Sequence, residues 1–169
     1  QGRVMVHEVE RGVWIGDEQE CRGVLPLGND HRFVAMIHAC KDPCHRAVVG
    51  YSGRSLPADH PEYLAAKRGE HLVLNLVDAP VPLFKVESFT KALDFLDAAL
   101  TDDRAALIHC NLGLSRAPSL ALVYLAKRRK TLPDDSYASA RGEFMTKYGS
   151  YQPGAGLVTF LTERWKEIR

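Results

Sequence analysis

Hydrophobic and polar residues follow two different patterns along this chain: a strand pattern, found only before residue 109, and a helical pattern, which begins at residue 87. In the first part, short apolar runs or loosely alternating stretches are bounded by turn residues, which is typical of strands. These predicted strands lie at residues 4–9, 13–15, 32–39, 71–77 and 105–108. The last is short and entirely apolar, so we expect it to be buried on both faces of a sheet.

The helical pattern, with apolar residues every third or fourth position, begins at residue 87 and dominates the C-terminal part of the chain. It predicts helices at 87–100, 119–130, 135–148 and 156–168. Ser88 is the predicted N-cap of the first helix, and the basic end of the second, Lys127–Lys130, suits a helix C-terminus. Strands that alternate with helices early, with helices dominating late, predict an α/β fold: a central mixed β-sheet flanked by α-helices.

Two segments between these elements have the composition of loops. Residues 41–61 hold three prolines and two glycines, which predicts an extended surface loop. Residues 78–82, Asp-Ala-Pro-Val-Pro, cannot continue the interior of a sheet because proline has no backbone N–H to donate. We therefore expect a loop directly after the strand predicted at 71–77.

Composition limits the classes of protein that this chain can be. Its 169 residues, 46% of them hydrophobic, suit one domain with its own core, spanning residues 1–169. The net charge of +1 argues neither for nor against a nucleic-acid or membrane partner. The longest apolar run, Leu120–Ala126, is far shorter than the ~20 residues of a membrane helix. The four cysteines do not form a disulfide framework. We expect a cytoplasmic monomer with no nucleic-acid or membrane partner.

The segment that indicates chemistry lies between the buried strand at 105–108 and the helix that begins near Arg116. A strand-to-helix junction leaves backbone N–H groups unpaired at the positive end of the helix dipole, which makes an anion site suited to phosphate. Gly113 allows the tight curvature of such a cradle. The backbone groups predicted to hold a phosphate belong to Asn111, Leu112, Gly113, Leu114, Ser115 and Arg116.

Cys110 stands at the start of this cradle, directly after His109. The donors that hold a phosphate also favour the thiolate form of a cysteine, which is the nucleophilic form. Arg116 lies one loop away, and its planar guanidinium can bind two phosphoryl oxygens at once. Together, Cys110 and Arg116 predict nucleophilic attack on a phosphoryl group.

His-Cys, five residues and then Arg is the signature that this sequence shares with the protein tyrosine phosphatase superfamily. The following residues, SRAPSLALVYL, resemble its dual-specificity branch in particular. The resemblance implies a cysteine-dependent protein phosphatase, which hydrolyses phosphomonoesters through a phosphocysteine intermediate without a metal or an organic cofactor. It also implies that Cys110 and Arg116 are catalytic and that His109 supports them.

The leaving group of such a reaction needs a proton, and Asp78 is the candidate donor because it opens a proline-containing loop after a predicted strand. The resemblance carries the general-acid role onto Asp78, since family members place this residue at about the same distance before the cysteine. The alternative is an ordinary turn residue before Ala-Pro, a position that aspartate favours. Asp102 and Asp103 are expected to be turn residues.

Three features found in other branches of the family are absent from this chain, and their absence narrows the class of substrate that the resemblance implies. The chain has no Asn-Arg-Tyr element, no Trp-Pro-Asp before the candidate acid, and no cation between Cys110 and Arg116. The first two indicate a shallow site that admits phosphoserine and phosphothreonine as well as phosphotyrosine. The third disfavours a phosphoinositide. The expected partner is therefore a phosphorylated protein or peptide.

The sequence departs from the family after Arg116, where Ala117 replaces the usual Ser or Thr. In the family that hydroxyl helps the cysteine leave when water hydrolyses the phosphoenzyme. Two other functions therefore stay open: a phosphate-binding protein without turnover, and a rhodanese-type sulfurtransferase, which also places a cysteine in an anion-binding loop. A chance Cys and Arg pair is the remaining alternative.

The segment from His38 to His45 holds two histidines and two cysteines, Cys40 and Cys44. Such residues can bind a metal, but their spacing resembles no standard zinc module, so we expect none here. Cys40 follows a predicted strand and is a candidate redox partner for Cys110. The simpler interpretation is that both cysteines are structural.

Overall fold

Among the residues that the computed structural model describes, 6–17 and 32–169, six strands form one mixed sheet. The strands are β1 Val6–Glu10, β2 Val13–Gly16, β3 Ala35–His38, β4 Ala65–Arg68, β5 His71–Leu74 and β6 Ala106–His109. Their order across the sheet is β1-β2-β6-β3-β5-β4. The four central strands run parallel, and β1 and β4 pair antiparallel at the two edges.

The central strands are apolar because helices cover both faces of the sheet, as is usual for parallel strands. All four residues of β3 and all four of β6 are buried. β6 lies between β2 and β3, so the segment that leaves its carboxyl end starts from the middle of the sheet. The predicted α/β fold with a central mixed sheet is confirmed.

Five α-helices accompany the sheet in the described part of the chain. They are α1 Arg46–Val49, α2 Val86–Ala99, α3 Arg116–Tyr124, α4 Tyr137–Lys147 and α5 Ala155–Arg164. Wider helical turns at Lys41–His45 and Leu125–Arg129 adjoin α1 and α3, and a 3₁₀ turn, Trp165–Glu167, follows α5. None of the helices described here has the length and apolar character that crossing a membrane requires.

Two sequence predictions are corrected by these bounds, and one strand was missed. Residues 41–61 are not simply a surface loop, because Lys41–His45 and α1 are helical and Cys44 is buried with Cys40 and Val73. Strand β4 was not predicted, because its polar residues Lys67 and Arg68 lie at an edge where one side is exposed to solvent. Ser88 is not an N-cap, because α2 begins at Val86 and Ser88 is buried inside it.

The remaining predicted elements are present with bounds that differ by a few residues. The turn at Arg11 and Gly12 joins β1 to β2, although the first two residues of the predicted strand at 4–9 lie outside the described residues. α4 begins at a side-chain cap, since Ser136 Oγ accepts a hydrogen bond from the backbone N–H of Ser139. Cys21 also lies outside the described residues.

Candidate active site

Residues 110–116, called the phosphate loop below, connect the buried end of β6 to the first turn of α3. Cys110 is only 2% exposed. Its Sγ accepts a hydrogen bond of 3.3 Å from the backbone N–H of Ala117, in the first turn of α3. Its own N–H donates to the carbonyl oxygen of Gly16 at the end of β2. The predicted position of the thiol, at a helix N-terminus that follows a central strand, is confirmed.

Gly113 is required in this loop for two reasons. Its φ of 72° lies in the left-handed region, which residues with a Cβ seldom adopt. A Cβ at this position would also stand 3.1 Å from the carbonyl oxygen of Gly16. The curvature predicted from the sequence therefore depends on close contact with the neighbouring strand β2.

The segment that joins α4 to α5 holds the phosphate loop through three hydrogen bonds. The Tyr148 hydroxyl donates to the Gly113 carbonyl, the Gln152 N–H donates to the Leu114 carbonyl, and the Gly154 N–H donates to Ser115 Oγ. Each is 2.8 Å long. Burial, with the nearby Cys110 and Asp17 adding to it, raises the pKa of Tyr148, so its hydroxyl stays protonated and can donate.

Arg116 joins the phosphate loop to the chain that leaves β5. One terminal nitrogen donates to the Leu76 carbonyl at 3.0 Å, and the other donates to Asn111 Oδ1 at 2.7 Å. Its buried Nε has no hydrogen-bond partner among the described residues. Asn111 in turn donates through Nδ2 to the Asp42 carbonyl. Hydrogen bonds therefore fix both terminal nitrogens of the guanidinium beside the loop that carries Cys110.

Asp78 is exposed and belongs to residues 77–84, called the acid loop below. This loop lies directly against the start of α5. A Cβ added to Gly154 would be 2.3 Å from Asp78 Oδ1, and a Cβ added to Gly156 would be 2.2 Å from the Ala79 carbonyl oxygen. Because the N–H of Gly154 also binds Ser115, one short backbone segment contacts both loops. The general-acid role of Asp78 stays a prediction.

Exposed apolar side chains border the two loops. Leu112 of the phosphate loop is 73% exposed, and Val77, Val81 and Leu83 of the acid loop are 45%, 48% and 72% exposed. Large apolar residues of this kind usually find cover in the core. Leu112 lies two residues after Cys110 and Val77 adjoins Asp78 in the chain, so each loop carries an exposed apolar side chain close to its candidate catalytic residue.

His109 is fully buried behind Cys110 and belongs to a chain of hydrogen-bonded histidines. Its Nε2 is 2.8 Å from His38 Nδ1, and His38 Nε2 is 2.9 Å from His71 Nδ1. The sequence indicated only His109 as a supporting residue. The other two were missed because His38 meets His109 through the pairing of β3 with β6, which no local pattern shows.

The cysteines and histidines of the segment 38–45 separate into two environments. Cys44 Sγ lies 3.9 Å from His109 Nε2. His45 instead contacts the Tyr51 hydroxyl and the Glu62 carbonyl oxygen, each at 2.8 Å. Burial lowers the pKa of His45, so this imidazole is neutral at pH 7. No disulfide joins Cys40 to Cys110 in this structure, and their candidate redox pairing stays a prediction.

Two serines close to the site have hydroxyl groups engaged elsewhere. Ser119 Oγ is 2.7 Å from the Tyr151 hydroxyl in the buried core, and Ser115 Oγ accepts the hydrogen bond from Gly154. Ala117 is fully buried and contacts Cys110 through its backbone N–H. Among the described contacts neither serine hydroxyl is hydrogen-bonded to Cys110 Sγ, whose donor is the N–H of Ala117.

Comparison with known proteins gives a likeness of fold. No family model and no curated protein sequence matched the chain. Among solved structures, the human tyrosine phosphatase-like serine/threonine/tyrosine-interacting protein has a TM-score of 0.65 at 20% identity and covers 96% of both chains. Human DUSP28 has a TM-score of 0.62 at 15% identity, covering 96% of this chain and 93% of its own.

A third structure, PTPMT1 in complex with PI(5)P, has a TM-score of 0.61 at 18% identity and covers 96% of both chains. At these identities the comparison establishes the fold, which is that of the dual-specificity and tyrosine phosphatases. The resemblance stated from the sequence is confirmed at that level.

Proposed function

We propose that this protein is a cysteine-dependent phosphatase of the dual-specificity type, which acts on phosphorylated proteins or peptides. The observation that carries the proposal is the placement of Cys110 Sγ and the Arg116 guanidinium on one loop at the N-terminus of α3. A helix N-terminus and an arginine fork attract the same dianionic phosphate that the thiolate would attack. The likeness of fold to phosphatases supports the same function.

In the proposed first step, the Cys110 thiolate attacks phosphorus, so an S–P bond forms while the P–O bond to the leaving group breaks. Asp78 donates its proton to the departing oxygen. In the second step, water attacks phosphorus, the Asp78 carboxylate accepts a proton from it, and the S–P bond breaks to release phosphate and the thiolate. Arg116 stabilises the charge on the phosphoryl oxygens in both steps, as electrostatic catalysis requires.

The apolar border of the site supports a phosphorylated protein segment as substrate. Leu112 occupies a position beside the phosphate cradle, and the phosphate loop holds no cation before Arg116. An inositol head group with several phosphates needs additional positive charge, whereas a single phosphorylated side chain with apolar neighbours does not. Because one structural neighbour was solved in complex with PI(5)P, a phosphoinositide is the alternative substrate with which phosphopeptides should be compared.

A second candidate function is a phosphate-binding protein that captures phosphoproteins without turnover. Ala117 favours it, because this chain lacks the hydroxyl that aids release of the phosphoenzyme in the family. Cys110, Arg116 and Asp78 together favour the enzyme, since a protein that only binds phosphate needs neither a nucleophile nor a proton donor.

Turnover of p-nitrophenyl phosphate tests the proposal. We expect the wild-type protein to release nitrophenol and inorganic phosphate, and Cys110→Ser to fold but lose activity, because a serine hydroxyl stays protonated where a thiolate would form. Activity of Cys110→Ser within tenfold of wild type would exclude the mechanism. Phosphate or tungstate binding without turnover would support the second function, and sulfur transfer from thiosulfate to cyanide would indicate a sulfurtransferase.

The substrate class is tested by steady-state rates on three substrates: phosphotyrosine peptides, phosphothreonine peptides and dispersed PI(5)P. Each peptide is made in two versions, with apolar or with acidic residues beside the phosphorylated position. The proposal expects both peptide classes to be hydrolysed, with the apolar versions preferred. A higher kcat/KM on PI(5)P than on every peptide would overturn the substrate assignment and leave the chemistry intact.

A further inference from the structure

Three potential metal ligands from separate parts of the chain meet behind the phosphate loop. His38 ends β3, His109 ends β6, and Cys44 lies in the helical turn Lys41–His45. Their ligand atoms all lie within 4.8 Å of one another. All three residues are buried, with at most 1% of their surface exposed. The proposed phosphatase reaction uses neither His38 nor Cys44.

We propose that His38 Nδ1, His109 Nε2 and Cys44 Sγ bind one zinc ion. Imidazole nitrogen and thiolate sulfur are ligands that zinc prefers, and three protein ligands with one water complete a tetrahedral site. The Zn–N and Zn–S bond lengths place two nitrogens roughly 3.3 Å apart and a nitrogen and a sulfur roughly 3.6 Å apart. The corresponding distances here are 2.8 Å between the two nitrogens and 3.9 Å between His109 Nε2 and Cys44 Sγ, and all three ligand atoms lie within 4.8 Å of one another. Shifts of about 1 Å or less therefore bring these atoms to coordination geometry.

His71 supplies the contact that would orient one ligand. Its Nδ1 lies 2.9 Å from His38 Nε2. When His38 Nε2 carries the proton and donates it to His71, the lone pair of His38 Nδ1 faces the other two ligands. Metal-binding histidines commonly use their second ring nitrogen in this manner, which fixes both the tautomer and the ring orientation.

Proton balance makes the site dependent on pH in a defined direction. Zinc replaces the proton shared by His38 and His109, and His109 retains a proton by carrying it on Nδ1. The thiol proton of Cys44 is released to solvent as the Zn–S bond forms. One proton therefore leaves for each ion bound, the metal stays Zn²⁺, and binding weakens as the pH falls.

The location would couple the ion to the proposed phosphatase site. His109 directly precedes Cys110, and the turn that holds Cys44 contacts the phosphate loop where Asn111 donates to the Asp42 carbonyl. A zinc ion would join β3, β6 and this turn beneath the loop. The sequence showed His38 and Cys44 in one segment that could bind a metal, but their spacing there, with Cys40 and His45, resembled no standard zinc module. The fold supplies the third ligand, His109, from a distant strand.

The experiment uses the full chain with Cys110→Ser, so that the proposed nucleophile cannot bind the probe. Zinc is added to chelator-treated protein and followed by calorimetry, and Co²⁺ is added in parallel to detect a thiolate-to-metal charge-transfer band. We expect one ion per chain, a rise in the melting temperature and a charge-transfer band. Cys44→Ala should weaken zinc binding by roughly 100-fold or more and remove the band, and His71→Phe should weaken it about 10- to 100-fold.

Cys40→Ala is the matched control, since Cys40 is equally buried and lies only four residues from Cys44. It should retain both the affinity and the band. Absence of stoichiometric binding, or equal binding by Cys44→Ala, would overturn the proposal and leave a hydrogen-bonded histidine chain. Should Cys44→Ala fail to fold, His38→Gln is judged by the same affinity criterion. If neither variant folds, Co²⁺ is added to the double variant Cys110→Ser, Cys40→Ala. A retained thiolate-to-metal charge-transfer band supports the proposal, and loss of the band overturns it.

Discussion

The two loops that form the candidate site are built in different ways. In the phosphate loop only the Leu112 side chain is well exposed, Cys110 and Ser115 are buried, and hydrogen bonds from residues 148–154 hold Gly113, Leu114 and Ser115. In the acid loop, Asp78 is exposed and Leu83 is 72% exposed. The acid loop is positioned instead by close packing of the Asp78 side chain against Gly154 and of the Ala79 and Val81 carbonyl groups against Gly156.

This difference matches the two chemical tasks. Stabilising a thiolate and a developing phosphoryl charge requires dipoles that are fixed before the reaction, so the phosphate loop must be rigid. A proton donor needs only to reach the leaving group, so the acid loop can lie at the surface and depend on fewer contacts. Perturbing each loop separately should therefore affect different steps.

The largest effect after loss of the nucleophile is expected from Asp78→Asn. Without a proton donor the rate should fall by about 10² to 10⁴, the usual range for a general acid. The loss should be smaller for aryl phosphates, whose leaving groups need less protonation, than for phosphoserine peptides. Asp103→Asn is the control, because Asp103 is an exposed partner of Arg11 on another loop. Equal losses for both substrate types would assign the acid role to another residue.

Arg116→Lys should reduce the rate roughly 10²- to 10³-fold, the range for loss of one preorganised donor to a transition-state oxygen. A lysine cannot bind Leu76 and Asn111 and also present two parallel donors to a phosphoryl group. In contrast to Asp78→Asn, the loss should be the same for aryl and alkyl phosphates. Arg129→Lys, which changes a cation at the far end of the α3 segment, should leave the rate unchanged. A loss confined to alkyl phosphates would show that Arg116 acts through the acid loop.

Gly156→Ala tests the packing that positions the acid loop. The new Cβ would stand 2.2 Å and 2.3 Å from the Ala79 and Val81 carbonyl oxygens, so the acid loop must move. A displaced acid should lower the rate on alkyl phosphates roughly 10- to 100-fold, because small misplacements of a catalytic group are costly. The rate on a good aryl leaving group should change less.

Gly142→Ala is the matched control, since a Cβ there meets nothing within 4 Å and α4 gains a better helix former. It should raise the melting temperature slightly without changing either rate. If Gly156→Ala lowers both substrate rates equally, its effect spreads to the phosphate loop and the two loops are not independent.

The same difference in construction explains how much of the candidate site could be predicted from the sequence. β6, the phosphate loop and the start of α3 are contiguous in the chain, so their apolar run, glycine and cysteine could be interpreted locally. The contacts from Tyr148, Gln152 and Gly154 could not, because only the packing of α4 and α5 brings them to the loop. For the same reason the chain of three histidines was missed. Ser88 was misjudged because capping residues also occur inside buried helices.

The smallest effect is expected at Ala117, where the phosphate loop lacks one donor. Attack requires Cys110 to be a good nucleophile, whereas hydrolysis of the phosphoenzyme requires it to be a good leaving group. The N–H of Ala117 already donates to Cys110 Sγ at 3.3 Å, and Ser119 Oγ is engaged by Tyr151. A hydroxyl at position 117 would add a second donor to the departing thiolate. A hydrogen bond of about 0.5–1.5 kcal/mol, or up to about 3 kcal/mol when its acceptor is charged, corresponds to a rate change of about two- to a hundredfold.

If phosphoenzyme hydrolysis limits turnover, rapid mixing of the wild type with p-nitrophenyl phosphate should give a burst of nitrophenol near one equivalent per enzyme. Ala117→Ser should then raise the steady rate and shrink the burst while leaving the burst rate constant unchanged, because attack does not use the new donor. Ala117→Gly, which adds no hydroxyl, should keep the full burst. A wild type without a burst, and no gain from Ala117→Ser, would mean that the backbone N–H and water already provide what the family obtains from a hydroxyl.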